Sequence, residues 1–160
     1  MRRSFIHWYV AKVKYQTERK IKNFLEKEGI QHYIPFIEEK PVIPCLVFIR
    51  TDYAKALLLS SESGISITYL QDEKTRKFQV IPDKQMEFFI FLNSFADKTF
   101  ILNNPENLSG GEKVRVVKGE FTGIEGELYR IKGHKRVVVR LNGLVSLATT
   151  YIPKENLEKL

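Results

Sequence analysis

The stretch that decides the fold lies at residues 111–126 and reads Gly-Glu-Lys-Val-Arg-Val-Val-Lys-Gly-Glu-Phe-Thr-Gly-Ile-Glu-Gly. Val114 and Val116 are two residues apart, so a strand places both side chains on one face. Glycines lie two residues before and two residues after Phe121, and they allow the backbone of a tight turn on either side of it. The pattern predicts a strand, a turn that presents one aromatic side chain, and a second strand beginning at Gly126.

The residues that follow this stretch have the pattern of further short strands. Residues 126–131, 136–141 and 144–152 are rich in β-branched and apolar side chains. Lys132 to Lys135 separates the first two strands, and Asn142-Gly143, a strong hairpin signal, separates the last two. Because no long helix interrupts these strands, they predict a small SH3-like β-barrel.

The N-terminal part alternates strands and helices. Apolar residues without breakers predict a buried strand over residues 4–13. Thr17 and Glu18 then suit a helix start, and the apolar spacing that follows continues the helix until Gly29.

Further strands are predicted at residues 33–37, 46–50 and 65–69, and a second helix after Thr51 or Asp52. Residues 88–92 suit either a strand or a helix; we favour a helix because Pro82-Asp83 is typical of a helix start. The fold class is therefore α+β, with an antiparallel sheet and helices in a split βαβ-like arrangement, followed by the small barrel.

The composition restricts the class of protein. The chain has 160 residues, 43% of them hydrophobic, and lacks both a signal peptide and an apolar run of the ~20 residues that cross a membrane. Cys45 is a single cysteine and the three histidines are scattered, so we expect neither a disulfide nor a metal site. These features predict a cytoplasmic protein without a cofactor.

The net charge of +7 arises from 26 basic and 19 acidic residues. It favours an anionic partner such as nucleic acid or a ribonucleoprotein machine. The excess is spread over both parts of the chain, which favours weak contacts with a phosphate backbone over autonomous, tight DNA binding.

Four motifs occur in order and span nearly the whole chain: His7-Trp8-Tyr9-Val10, Pro44 to Ile49, Ile81 to Lys84, and residues 111–126. Together they resemble the NusG family of transcription elongation and antitermination factors. The resemblance implies a NusG N-terminal (NGN) domain at 1–98, a linker at 99–110 and a KOW domain at 111–160.

Two departures from the usual family pattern point to a subgroup. Pro44-Cys45-Leu46 stands where the family usually has Pro-Gly-Tyr, and residues 72–77 form an unusually charged tip. In these features the chain is similar to the specialised RfaH-like or UpxY-like paralogues, which act on selected operons. The His-Thr-Thr signature of the RfaH-like proteins has no match in residues 53–61.

The resemblance implies a non-enzymatic factor that binds the clamp helices of bacterial RNA polymerase and suppresses pausing or termination. The oligomeric state stays open, with a monomer as the default. No catalytic triad, carboxylate pair or phosphate loop contradicts this. The implied further partners are non-template or upstream DNA and, through the KOW domain, Rho or a small-subunit ribosomal protein.

The resemblance also implies three sets of site residues. The polymerase-binding set consists of Trp8, Lys12, Phe36, Leu46 and Phe48. The nucleic-acid-binding set consists of Lys14, Arg19, Lys20, Arg50 and Lys55. The KOW partner surface consists of Phe121, Ile124 and Tyr129.

Several of these residues have a core role as their alternative, among them Trp8, Phe36, Phe48 and Phe121. Strand residues alternate between faces, so Leu46 and Phe48 share one face while the residues between and after them share the other. One pair can therefore be core and the other exposed, and for Phe48 a core role and an interface role stay open.

An alternative function is that of an RNA-binding or ribosome-associated KOW protein, which would use the basic turn at residues 132–136.

The resemblance also raises the question of refolding, because some RfaH-like proteins fold their C-terminal domain as helices. Here Val137 to Val139 and Asn142-Gly143 favour strands, so we expect a barrel that does not refold.

Overall fold

The computed structural model describes residues 5–95, 98–102, 111–141 and 144–160. They form two compact units, which divide between Asp83 and Lys84.

The first unit is built on an antiparallel sheet with two helices. In chain order its strands are β1 (Ile6–Val13), β2 (Gln31–Tyr33), β3 (Phe36–Ile37), β4 (Lys40–Pro41), β5 (Leu46–Asp52), β6 (Ile67–Tyr69) and β7 (Val80–Ile81). The helices are α1 (Glu18–Lys27) and α2 (Tyr53–Ser63). The strand order is β2-β5-β1-β6, with β7 also paired to β1, while β3 and β4 form a separate ribbon. Because β5 lies between β1 and β2, which α1 connects, this is the split βαβ arrangement that the sequence predicted.

The starts of the two helices differ in how they are capped. Asp52 precedes α2, and its carboxylate accepts the backbone N–H of Lys55 at 2.7 Å, as expected of an N-cap. Thr17 precedes α1 at the predicted position, but its hydroxyl donates to the carbonyl of Lys14 and caps nothing.

One face of the sheet carries the hydrophobic core of the first unit. The core side chains come from alternate residues of the strands and from the inner faces of both helices: Tyr9, Ala11, Val13, Ile21, Leu25, Ile34, Val47, Ile49, Ala56, Leu59, Ile67 and Tyr69. This alternation follows from strand geometry, in which successive side chains point to opposite faces of the sheet.

The second unit contains α3 (Asp83–Asn93), which begins at the boundary, and a six-stranded antiparallel sheet. Its strands are β8 (Thr99–Leu102), β9 (Glu112–Val116), β10 (Glu125–Ile131), β11 (His134–Leu141), β12 (Val145–Thr149) and β13 (Leu157–Lys159). The order is β13-β9-β10-β11-β12-β8. The α+β class with a small SH3-like second part is confirmed, and so is the choice of a helix over a strand for residues 88–92.

The predicted linker differs from the structure at its start. Thr99–Leu102 form β8 and pair with β12, because four β-branched, aromatic or aliphatic residues in succession favour a sheet edge over a linker. The rest of the predicted linker, residues 103–110, and the predicted Asn142-Gly143 turn lie outside the described residues. The predicted domain boundaries stay a prediction; α3, which we placed in the first domain, groups with the second unit except for its first residue.

Candidate functional site

The face of the first sheet opposite the core brings together four of the five predicted polymerase-binding residues. In the antiparallel register Lys12 of β1 lies opposite Leu46 of β5, and Trp8 lies opposite Arg50. Phe48 lies between them, opposite Val10. Cross-strand partners project from the same face of a sheet, so these side chains form one surface. We call this surface the outer sheet face.

Exposure changes along the outer sheet face. Trp8 is 4% exposed and Phe48 is fully buried, whereas Leu46 is half-buried and Lys12 is exposed. Phe48 packs beside Tyr33, with 6.4 Å between the ring centroids. The exposed end of the face is therefore the Lys12–Leu46 end.

The sequence left open whether Phe48 is a core or an interface residue, and in the structure its side chain is fully buried. Val47 and Ile49 belong to the core on one face, and Phe48 is equally buried on the other. In its middle, β5 therefore carries buried apolar side chains on both faces.

Phe36 does not lie on the outer sheet face. It is partly buried and packs against the core cluster on the opposite side of the sheet. The guanidinium of Arg19 lies 3.9 Å from the centre of its ring, in a cation–π contact. The structure thus joins a predicted polymerase-binding residue to a predicted nucleic-acid-binding residue and separates both from Trp8.

Sequence reasoning missed the residues that position Leu46. Cys45 precedes it with φ of +66°, a left-handed conformation that is unfavourable for a residue with a side chain. The buried carboxylate of Glu18 accepts the backbone N–H of Cys45 at 3.1 Å, and the Cys45 carbonyl accepts the N–H of Val13. Acidic residues are common in the first turn of a helix, so nothing in the sequence indicated that Glu18 contacts Cys45.

Thr68 is a second neighbour that the sequence did not reveal. It lies on β6 directly opposite Lys12, so Lys12 stands between Leu46 and Thr68 in the sheet. The exposed end of the outer sheet face therefore consists of the Lys12 ammonium group, with the aliphatic Leu46 on one side and the hydroxyl of Thr68 on the other. Only the strand register brings these three residues together.

The five predicted nucleic-acid-binding residues fall into two groups at opposite ends of the sheet. Lys14, Arg19 and Lys20 are exposed in the turn after β1 and the first turn of α1. The other two belong to the opposite end of β5 and the start of α2. Since β1 and β5 are antiparallel and extended along their length, the groups do not form one patch.

The second group is paired with carboxylates. Arg50 donates to Asp83 at 3.1 Å, and the ammonium of Lys55 donates to Glu62 at 2.7 Å. That hydrogen bond is the main reason why the pKa of Lys55 is raised above its usual value. These two cations therefore already have anionic partners within the protein.

The three predicted residues of the KOW partner surface divide in the second unit. Phe121 and Ile124 are buried, and the ring of Phe121 packs edge-on against Phe95 with 5.0 Å between centroids. For Phe121 this is the core role that the sequence left open. Tyr129 alone of the three keeps substantial exposed surface.

Tyr129 is held in a polar network. Its hydroxyl donates to Glu127 and accepts from the N–H of Gly111 at 2.9 Å and from Arg140 at 2.8 Å. Burial acts to lower the pKa of Arg140, but the hydrogen bond to Tyr129 and the charge of Glu127 outweigh it, so this pKa is raised. Arg140 thus carries a full charge within the network at neutral pH.

Two findings bear on other kinds of site. Within the described parts of the chain, no three side chains of His, Cys, Asp or Glu are grouped so that they would hold a metal ion. In the same parts, no helix has the length and hydropathy needed to cross a membrane.

A split βαβ sheet followed by a small SH3-like unit defines a two-part α+β protein. The family model described as "Transcription termination factor nusG" matches residues 6–90, more than half of the chain. The chain belongs to the NusG family, and this membership places it among the transcription elongation factors.

One solved structure supports the fold. A structure described as "Domain interaction in Thermotoga maritima NusG" is similar at a TM-score of 0.51 and 15% identity, covering 98% of each chain. The chain also matches "Crystal Structure of MjSpt4:Spt5 complex conformation A", at a TM-score of 0.26 and 16% identity, over 96% of this chain and 97% of that one. No curated protein sequence matches the chain.

Proposed function

We propose that the chain binds bacterial RNA polymerase, at its clamp helices, through the exposed end of the outer sheet face, and that binding suppresses pausing or termination. The supporting observation is the position of Lys12 between Leu46 and Thr68. A cation flanked by an aliphatic side chain and a hydroxyl suits a helical partner that carries both apolar and acidic side chains.

The effect on pausing requires only a difference in affinity. A factor that binds the elongating state of polymerase more tightly than the paused state shifts the population toward elongation. A tenfold difference in affinity corresponds to about 1.4 kcal/mol. No catalytic step is needed, so the proposed factor is not an enzyme and uses no cofactor.

Nucleic-acid contact is proposed for Lys14 and Lys20. Both are exposed, and neither forms an ion pair with another described residue. Arg50 and Lys55 are weaker candidates than the sequence indicated, because binding a phosphate would require each to give up a carboxylate partner. The proposed ligand is non-template or upstream DNA beside the bound polymerase.

The remaining parts of the proposal concern targets and the second unit. The departures from the usual family pattern at Pro44-Cys45-Leu46 and residues 72–77 support a specialised, RfaH-like or UpxY-like factor that serves selected operons. The proposed factor acts in the cytoplasm and as a monomer. The second unit recruits Rho or a small-subunit ribosomal protein. Of the predicted surface, Tyr129 is the residue available for that contact.

Binding of the full chain to bacterial core RNA polymerase tests the proposal. Lys12→Gln combined with Leu46→Ala should weaken binding at least tenfold, because both side chains lie at the exposed end of the face. Lys27→Gln combined with Leu57→Ala is the matched control. Lys27 is exposed on α1 and Leu57 is 53% exposed on α2, both away from the outer sheet face.

Phe48→Ala is unsuitable for this test, since emptying a fully buried site costs about 3–5 kcal/mol of folding free energy. Equal affinities of the test and control variants would refute polymerase binding through this face.

A separate experiment tests the nucleic-acid contact. Reversal of charge at Lys14 and Lys20 should reduce pause suppression more than it reduces polymerase binding. Equal loss of both would refute the separate role of these lysines.

The alternative function, RNA binding by a ribosome-associated KOW protein, is favoured by one observation. The turn between β10 and β11 is rich in cations, and Lys132 and Lys135 have no carboxylate partner among the described residues. RNA affinity of the full chain without any polymerase affinity would support this alternative over the proposed function.

A further inference from the structure

A recess of about 370 Å³ lies within the second unit, between α3 and the strands β9, β10 and β11. Helix α3 contributes Lys84, Gln85 and Phe88 to its lining, and the strands contribute residues that include Lys113 and Val138. We call this cavity the α3 recess. Its volume lies in the range that is typical of pockets for small molecules.

Strand register places three kinds of side chain in a row along the sheet side of the α3 recess. Lys113 of β9 lies opposite Glu127 of β10, which in turn lies opposite Val138 of β11. Cross-strand partners project from one face of a sheet, so a cation, a carboxylate and an aliphatic side chain are neighbours there. Val138 is buried and Lys113 is exposed, so the apolar residue lies deep and the cation lies at the border.

Two further apolar side chains line the α3 recess. Phe88 is half-buried on α3, and Leu160 is 56% exposed. The backbone N–H of Leu160 donates to the carbonyl of Lys113 at 3.1 Å, which holds Leu160 beside β9. An apolar ligand group that contacts Phe88 and Leu160 would remove their exposed surface from water, which favours binding.

The two glutamates that line the α3 recess already have cationic partners. The carboxylate of Glu127 accepts from the guanidinium of Arg140 at 3.0 Å. The carboxylate of Glu125 accepts from the guanidinium of Arg115 at 2.8 Å. A positively charged ligand would therefore have to displace an arginine from one of these carboxylates, which is unfavourable.

The two lysines of the α3 recess are in the opposite situation. Neither Lys84 nor Lys113 forms an ion pair with another described residue. The Lys84 ammonium group lies 5.8 Å from the centre of the Phe88 ring, so this cation is placed beside an apolar surface of the recess. The charge that complements the α3 recess is therefore negative.

Gln85 adds an acceptor that lacks a donor. Its side-chain oxygen is buried and has no hydrogen-bond partner among the described residues. A buried acceptor without a donor is unfavourable, so a ligand that donates an N–H to Gln85 forms a hydrogen bond that the free protein lacks. The ligand that fits this recess thus combines an anion, an apolar group and an N–H donor.

We propose that the α3 recess binds a small organic carboxylate that carries an apolar side group and an amide N–H. The carboxylate pairs with Lys84 and Lys113. The apolar group packs on Phe88 and Val138, and the amide N–H donates to Gln85. An N-acylated apolar amino acid has all three features. The proposal does not rest on polymerase binding, since it uses only residues of the second unit.

Titration of the isotope-labelled full chain with N-acetylphenylalanine, followed by the NMR shifts of backbone amides, tests the proposal. We expect saturable shifts in α3, β10 and β11, with a Kd on the order of 1 mM for a ligand of this size. Phenylacetate, which lacks the N–H, should bind about tenfold more weakly. The neutral amide of N-acetylphenylalanine should also bind about tenfold more weakly, because it offers the lysines no charge. Acetate, which has no apolar group, should not saturate the recess.

Variants separate the roles of the side chains. Lys84→Gln combined with Lys113→Gln should weaken binding of N-acetylphenylalanine about tenfold and leave binding of its neutral amide unchanged. Lys118→Gln combined with Lys154→Gln is the matched control, because both lysines are exposed in the second unit and neither lines the α3 recess. Gln85→Leu should abolish the preference for N-acetylphenylalanine over phenylacetate. It should not lower the Tm of the free protein, because the side-chain oxygen that it removes accepts no hydrogen bond from a described residue.

Three results would contradict the proposal. The first is the absence of saturable shifts at the α3 recess with N-acetylphenylalanine. The second is an equal loss of affinity in the two double lysine variants, which would indicate unspecific electrostatics. The third is much tighter binding of a short peptide that ends in phenylalanine, which would indicate the end of a protein chain as the occupant. The polymerase variant Lys12→Gln, Leu46→Ala should bind N-acetylphenylalanine normally, so this result is independent of the proposed function.

Discussion

Gly126→Ala provides the sharpest test of how the Gly111 to Gly126 stretch builds the second unit. A Cβ atom on Gly126 would lie 2.5 Å from the carbonyl oxygen of Val138 and 2.8 Å from Cγ1 of Val137. Ordinary contacts between carbon atoms are about 3.5–4.0 Å, so β10 and β11 would have to move apart. The obstacle includes a backbone atom of the neighbouring strand, and rotation of a side chain does not remove it.

The expected cost is about 3 kcal/mol, the upper end of the range for overpacking a core. For a unit of this size 1 kcal/mol lowers Tm by about 4–8 °C, so we expect the second unit to melt roughly 12–24 °C lower. Thermal unfolding of the full chain by circular dichroism measures the shift. Hydrogen exchange of β10 and β11 shows whether the loss is local to this strand pair.

Gly133→Ala is the matched control in the same unit. Gly133 has φ of +81° and no atom within 4 Å of an added Cβ, so alanine there costs only the about 1–2 kcal/mol of a left-handed residue. A Gly126→Ala variant that is no less stable than Gly133→Ala would refute the reasoning, because close approach of the strands would then not be the role of this glycine.

Three further predictions concern contacts of the first unit. Asp52→Ala removes the N-cap of α2 and should lower the free energy of unfolding by about 1 kcal/mol in urea denaturation. Glu18→Ala should cost about 1–3 kcal/mol by leaving the N–H of Cys45 unsatisfied, and it should weaken polymerase binding by releasing the loop before β5; unchanged amide exchange at Cys45 would contradict this. The pKa of Asp72 is lowered, chiefly by the backbone N–H of Thr75, so its stabilising effect is present above the ordinary carboxyl pKa and is lost as the pH falls through the lowered value. An NMR titration in which the Asp72 carboxyl titrates at or above its ordinary value would contradict this effect.

Much of the fold was predictable because it follows from local pattern. The apolar run of β1 and the apolar spacing of Ile21 and Leu25 predicted elements that the structure contains. Thr51 or Asp52 was predicted to cap a helix, and the carboxylate of Asp52 does so. These features depend on residues within one turn or one strand of each other, so the sequence displays them directly.

The site was less predictable, because exposure depends on what packs on each face of a strand. Phe48 and Val47 alternate in the sequence like a half-buried strand, yet both are buried in the middle of the sheet. Phe36 is an aromatic residue of the kind common at interfaces. It packs against the core on the side of the sheet opposite the outer sheet face, and the guanidinium of Arg19 covers its ring. Nothing in the spacing of these residues indicated either outcome.

The sequence also did not reveal which cations are available to a ligand. Arg50 and Lys55 were indistinguishable in sequence from Lys14 and Lys20, but Arg50 meets Asp83 across a separation of 33 residues. An ion pair of that kind exists only when the chain has brought two distant segments together. The availability of a cation for a ligand is therefore a property of the fold.

The sequence by itself determined the family, the two-part α+β architecture and the strand, glycine turn and strand of residues 111–126, because each depends on short-range patterns or ordered motifs. Only the tertiary structure decided that Lys12 stands between Leu46 and Thr68, and that Lys113, Glu127 and Val138 form a row beside the α3 recess. The physical reason is that strand register is set by the packing of a whole sheet face, and a shift of one residue would exchange the two faces.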